Sequence, residues 1–421
     1  MNKNSRLGAM MFLQYALWGA WLPVTARYLS ASISEGGLGF TGSQIGMILG
    51  LAGSIGAIAA PFIAGQIADR YFSTERILSF LVITGGLVKW YTATQTDYQS
   101  WLVLSIIYSV LYMPTLALSN SITFAHINDQ ENDFPKIRVW GTIGWIAASW
   151  AFPMIWLQTD LQLQSMPPFF LGTEVPQVTS RLADALKFSG IISICYGVFC
   201  FSLPHTPPKK DAVDQLAFKK AFGLFRHSSF TVLVLASLAI SIIHQIYFLQ
   251  TGPFLSSIGI LDSQIGPAMT IGQFAEILTM AYLGYFLKNL GFKKVITIGV
   301  GAYCLRYAIF GTEAFPVWII VLSQAFHGFC YAFFFAAAYI YVDKIADEDV
   351  RHSAQTVFGI IILGGGPVIG GWLSGYLQSV NTINSVFDFS TFWYTLSLIG
   401  LITTILFFMF FKEELSEREQ L

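Results

Sequence analysis

Apolar runs of about twenty residues, the length that crosses a bilayer as a helix, recur along the whole chain, and polar residues collect in the gaps between them. Twelve such runs are predicted, at roughly 7–30, 43–68, 76–95, 100–124, 135–157, 186–204, 229–256, 264–287, 293–312, 315–342, 353–378 and 389–411. Two connections are longer: 158–185, rich in Pro and Gln, and 205–228, rich in Lys. The first run is too long for a signal-peptide core and shows no clear cleavage site, so it reads as a retained helix. The expected fold class is an all-α membrane protein of twelve transmembrane helices.

The pattern also repeats. Ser43-Gln44-Ile45-Gly46 opens the second run and the identical Ser263-Gln264-Ile265-Gly266 opens the eighth. The second run ends in Gly65-Gln66-Ile67-Ala68-Asp69-Arg70 with Arg76 beyond. The eighth ends in Gly284-Tyr285-Phe286-Leu287-Lys288 with Lys293-Lys294 beyond. The chain therefore divides into an N-terminal six-helix bundle over 1–204, a cytoplasmic linker over 205–228 and a C-terminal six-helix bundle over 229–421. Two six-helix pseudo-repeats are the architecture of a secondary transporter, which holds its substrate near the bilayer midplane. Gly65-x-x-x-Asp69-Arg70 resembles the signature loop of the major facilitator superfamily. Gly65 would let two helices approach and Asp69 would cap or pair with a neighbouring helix end, so Gly65, Asp69 and Arg70 are expected to form a conformational latch.

Composition agrees: 54% of the 421 residues are hydrophobic and 11% charged, against roughly 25% charged in soluble domains. With both termini on one side, 18 of the 23 Lys and Arg residues fall on that side, which places both termini in the cytoplasm. A net charge of −1 gives no field that would draw a nucleic acid. Cys195, Cys200, Cys304 and Cys330 all lie in apolar runs and read as small hydrophobes. No metal-ligand cluster, nucleophile elbow or phosphate loop is present, so neither a metal, a cofactor nor an enzyme activity is expected.

The polar residues left inside the apolar runs carry the functional expectations. Asp133 and Pro135 suit a helix start, after which Arg138, Thr142 and Trp145 share one helical face. Glu276 is the one deep carboxylate, with Gln273 a turn earlier on the same face. A lone carboxylate in a low-dielectric site can bind and release a proton, so Glu276 is the candidate for proton coupling or for holding a ligand hydroxyl. Gln245 shares a face with Phe248, and His327 with Tyr331. His244 and His327 read as hydrogen-bonded core groups on their own chemistry. Lys89 and Arg306 occupy matching places in the two repeats and are expected to snorkel to the outer surface, in a structural role.

Several stretches together resemble the nucleoside:proton symporters of the major facilitator superfamily, the bacterial nucleoside permeases. They are Phe12–Leu22, Tyr112-Met113-Pro114-Thr115-Leu116, Phe134–Gly144 with its Arg-x-Trp-Gly-Thr-Ile-Gly core, Leu203-Pro204-His205 and Arg351-His352-Ser353-Ala354-Gln355. The resemblance implies a nucleoside site at Arg138, Thr142, Trp145, Gln245, Phe248, Gln273, Glu276, His327, Tyr331 and Ala332, with a nucleoside and protons as partners in a lipid bilayer and the protein acting as a monomer. Trp145 and Tyr331 stand where the family has Phe. His327, Phe248 and Ala332 stand where the family permease has Tyr, Asn and Asp. The residues agree with a nucleoside independently, because a flat base stacks on Trp145, Phe248 and Tyr331 while the amides of Gln245 and Gln273 suit base edges and ribose hydroxyls. A permease for a modified nucleoside, a nucleobase or a sugar is the alternative. Arg138 would contact substrate, balance Glu276 or gate the cytoplasmic side.

Overall fold

The computed structural model describes residues 2–63, 72–163, 170–207, 222–346, 351–384 and 386–413. Gly65, Asp69 and Arg70 lie outside them. Twelve membrane-length helices run through the described residues: α1 (Lys3–Ser30), α2 (Gly42–Ala60), α3 (Thr74–Thr92), α4 (Tyr98–His126), α5 (Gln130–Phe152), α6 (Val178–Cys200), α7 (Ser228–Ser257), α8 (262–290), α9 (292–311), α10 (Val317–Ile345), α11 (Ala354–Val380) and α12 (Phe389–Phe410). Among the described residues, beyond these lie only short turns and two-residue hairpins, Gln162–Leu163 with Phe170–Leu171 and Thr382–Ile383 with Val386–Phe387.

α6 begins at Val178, inside the expected 158–185 connection, and two further boundaries differ from the sequence expectation. α5 begins at Gln130, so Pro135 lies inside the helix and Asp133 does not cap it. The Asp133 amide donates to the Asp129 carbonyl at 2.9 Å, which starts the helix ahead of the proline. The Asp133 side chain reaches Lys136 instead, at 3.9 Å. α8 and α9 follow each other with no loop, broken only at Gly291. Its φ of 76° is left-handed, a conformation that glycine alone adopts freely, and the Glu413 carboxylate lies where a side chain would project.

Two compact units emerge: Met1–Ala212 with Phe248–Ala268, and Val213–Tyr247 with Met269–Leu421. In the first, α1 and α5 lie backbone against backbone. A Cβ at Gly144 would collide with the Phe12 carbonyl, and the Ser149 hydroxyl donates to the Gly19 carbonyl at 2.9 Å. Glu75 at the start of α3 accepts the Thr206 amide at 3.0 Å and pairs with His205 Nδ1 at 2.8 Å, so Leu203-Pro204-His205 is clasped to that helix end. The 248–268 segment is held in the same unit by Asp262. Its carboxylate takes Arg27 Nε at 2.8 Å and the Thr179 hydroxyl at 2.8 Å, and Arg27 also reaches Glu35 at 3.2 Å. Asp262 is 5% exposed, so this ion pair is largely desolvated.

Candidate functional site

In the first unit the sequence-predicted residues Arg138, Thr142 and Trp145 lie along α5 at half-buried to buried positions. The Arg138 guanidinium sits 4.1 Å above the Tyr15 ring of α1. Trp145 packs edge-on against Trp18 with centroids 5.6 Å apart, and Trp18 meets Tyr112 of α4 at 5.4 Å. The close α1–α5 crossing puts the Trp145 carbonyl 2.6 Å from where a Gly19 Cβ would be, which fixes the depth of the indole. Gln14 donates to Thr115 at 2.8 Å and its carbonyl accepts from the Tyr112 hydroxyl at 3.1 Å, which braces the Tyr112-Met113-Pro114-Thr115-Leu116 stretch. Phe248 belongs to this unit, while Gln245, three residues earlier, belongs to the other.

In the second unit a tight crossing of α8 and α10 builds the remaining cluster. A Cβ at Gly328 would lie 2.5 Å from the Ala275 carbonyl carbon, and one at Gly272 would lie 2.7 Å from His327 Cβ. That closeness brings His327 Nε2 to 4.0 Å from Glu276 Oε2. Glu276 keeps 14% of its side chain exposed and His327 only 3%. Gln273, one turn before Glu276, is buried, and its carbonyl oxygen finds no partner among the described residues. An acceptor left bare in a buried site costs roughly 1–3 kcal/mol, which a ligand donor would recover. Tyr331 stacks on His327 at 6.5 Å. It lies in a stretch of widened helical turns, Cys330–Ala336, the kind of irregularity that gathers at functional positions. Ala332 is completely buried within the same stretch. Gln245 on α7 packs on α11, its Cβ 3.0 Å from where a Gly370 Cβ would be.

The structure overturns the surface placement of Lys89 and Arg306. Lys89 is 3% exposed and Arg306 is 0% exposed. Each sits in an aromatic box. Lys89 Nζ lies 3.3 Å from the Trp21 ring centre and 4.1 Å from that of Tyr108. The Arg306 guanidinium lies 4.1 Å from the Tyr247 ring, 5.1 Å from Tyr307 and 5.4 Å from Tyr303. Ring faces carry the negative end of the quadrupole and replace part of the lost hydration. Tyr303 and Tyr307, a turn before and one residue after Arg306, were the local signal for such a box. Trp21, Tyr108 and Tyr247 come from other helices and give none. His244 is hydrogen-bonded as expected of a core histidine, its Nδ1 2.8 Å from the Tyr303 hydroxyl.

A family model described as the nucleoside H+ symporter matches residues 1–416. Over 98–99% of its length the chain is similar to three proteins of Escherichia coli K12. It is 33% identical to YegT, 30% to the xanthosine permease and 28% to the nucleoside permease NupG, and each match covers 96% of the relative. The crystal structure of the nucleoside transporter NupG superposes with a TM-score of 0.82 at 27% identity, covering 98% of this chain and all of that one. A D-xylose-proton symporter, at 11% identity, shares the fold with a TM-score of 0.73.

Proposed function

This chain belongs to the nucleoside H+ symporter family, a transporter family of the major facilitator fold and not an enzyme family, and from that premise we propose that it imports nucleosides with protons by alternating access. Gln273 and Glu276 carry the reading: a buried, unpartnered amide oxygen one turn from a carboxylate that meets an imidazole at 4.0 Å. Such a face suits a molecule with vicinal hydroxyls and an exchangeable proton. In this account the base stacks on Trp145, Phe248 and Tyr331. Gln245, Gln273, Thr142 and His327 supply hydrogen bonds, and Arg138 contributes a fixed positive charge. Glu276 takes the coupling proton, which lowers the cost of closing the site in low dielectric. The supporting chemistry is the mixture of aromatic faces and amides that nucleosides require.

The same proposal divides the chain into bundles over 1–204 and 229–421 joined by 205–228, on the strength of the repeated Ser-Gln-Ile-Gly. It assigns Gly65, Asp69 and Arg70 to a conformational latch. It places the protein as a monomer in a bacterial inner membrane, as the family resemblance implies, and puts both termini in the cytoplasm because Lys and Arg accumulate on that side. Uptake of labelled uridine and adenosine, with and without an uncoupler, tests the activity. Uptake indifferent to the proton gradient would remove symport, and absence of uptake of either would remove the substrate class. Ala332, fully buried and without a polar group, favours the second reading, a modified nucleoside, nucleobase or sugar. A competition panel against uridine separates the two.

A further inference from the structure

Arg306 is the most completely buried cation in the described structure, and among the described residues no carboxylate lies within ion-pair distance of it. Its polar contacts are His327 Nδ1 at 3.1 Å from one terminal nitrogen and the Tyr307 hydroxyl at 3.3 Å from the other. The Nε–H has no partner among the described residues. Burying a guanidinium in this way costs several kcal/mol before compensation. The three tyrosine faces offset part of it. What this arrangement achieves follows from hydrogen-bond chemistry.

A guanidinium only donates. The imidazole nitrogen facing it must therefore accept, so His327 Nδ1 is bare and the ring proton sits on Nε2. Nε2 is the atom that faces Glu276 Oε2 at 4.0 Å. The neighbours leave this assignment in place. His244 stacks on His327 at 5.6 Å, with its Nδ1 turned to Tyr303. Tyr247 stacks on the same ring at 5.6 Å and gives its hydroxyl proton to Gln324 at 2.9 Å. The Tyr307 hydroxyl donates to the Ile243 carbonyl at 2.7 Å. Tyr331 and the Cys330 thiol are further ionisable groups beside the pair. Glu276 is the carboxylate that faces His327 among the described residues.

Resting on the reading of Glu276 as the coupling carboxylate, we propose that Arg306 is the positioning residue of the coupling site: it holds His327 in the Nε2–H tautomer aimed at Glu276. His327 then presents one donor to the carboxylate and no bare nitrogen toward it, so Glu276 alone of the three exchanges the coupling proton. Arg306 touches neither substrate nor proton. It acts through the imidazole, as orienting partners act on functional histidines elsewhere.

The test uses the full-length protein in proteoliposomes with 15N-labelled histidine rings. The His327 signals are assigned by their loss in His327→Tyr. The wild type should show a protonated Nε2 and a bare Nδ1 at neutral pH. A protonated Nδ1, or an imidazolium, would overturn the proposal without any further variant. Arg306→Met should mix the tautomers, and Arg306→Lys, which keeps a charged donor, should restore the single form. In the same vesicles, Arg306→Met should lose proton-driven uridine accumulation by about 10–100-fold, by analogy with the loss when the partner orienting a metal-ligating histidine is removed. It should keep exchange of labelled for unlabelled uridine. Loss of both activities, or of neither, would overturn the positioning role. Glu276→Gln separates the two layers: proton-driven uptake that survives this change refutes the coupling role of Glu276, whereas the wild-type 15N spectrum alone decides the tautomer that Arg306 imposes.

Discussion

Substituting Gly328 by alanine tests whether the α8–α10 crossing builds the cluster on Glu276 and His327. A Cβ there would meet backbone at every nearby point: the Ala275 carbonyl carbon at 2.5 Å, its oxygen at 2.7 Å and the Glu276 amide nitrogen at 2.8 Å. Ordinary contact begins at 3.4 Å, so the helices must part by about 0.9 Å, because no flexible side chain is available to yield. Overpacking of this kind costs about 1–3 kcal/mol. The same movement stretches the 4.0 Å approach of His327 to Glu276. A misplacement near 1 Å in a positioned site costs up to about 100-fold. Gly328→Ala is therefore expected to lower the melting midpoint of the purified protein and to reduce uridine uptake by about 10–100-fold, with the protein still inserted in the membrane. Gly284→Ala on the same α8 is the control. No described residue lies within 4 Å of its Cβ, so alanine there should stabilise the helix by about 0.5–1 kcal/mol and leave uptake unchanged. Wild-type melting and uptake in Gly328→Ala, or equal damage from Gly284→Ala, would refute the reasoning.

Three further outcomes follow from the structure. Gln273→Leu removes a buried oxygen without a partner, so the unliganded protein should melt at or above the wild-type temperature while nucleoside affinity falls about 10–100-fold, read by equilibrium binding. Asp262→Asn weakens a largely desolvated pair with Arg27, at a cost of about 1–3 kcal/mol in a thermal melt, whereas Glu35→Gln, whose side chain is 55% exposed, should shift the same melt by less than about 0.5 kcal/mol. Lys89→Met keeps an apolar side chain against Trp21 and Tyr108 and relieves a buried charge, so stability and uptake should both be retained. Loss of uptake at an unchanged melting temperature would show that the ammonium itself takes part in transport.

The periodicity of apolar residues made the twelve helices legible, because lipid leaves the backbone no other way to satisfy its hydrogen bonds. The α8–α9 junction was less so. Gly291 turns the chain within a single residue, and the flanking Lys293-Lys294 marks only that an end is near. The start of α5 was misplaced because Asp133 and Pro135 form a good helix start, while the bond from the Asp133 amide to the Asp129 carbonyl begins the helix earlier. The depth of Lys89 and Arg306 was hidden for a different reason. A long side chain can reach water or a ring, and the rings that decide between these come from helices distant in sequence: Trp21 and Tyr108 for one, Tyr247 for the other. Gln273 and Glu276 stood out as polar residues on one face of an apolar helix. The contact of Glu276 with His327 did not, since it depends on Gly272 lying against His327 and Gly328 against Ala275, on two helices distant in sequence.

The central claim is that nucleoside and proton cross together through Glu276. It is tested most directly in proteoliposomes that enclose a pH-sensitive dye, with equal pH inside and out and a clamped membrane potential. Adding uridine or adenosine outside should acidify the lumen in step with uptake, and Glu276→Gln should abolish the acidification. A lumen pH that stays constant while nucleoside accumulates inside would contradict the account.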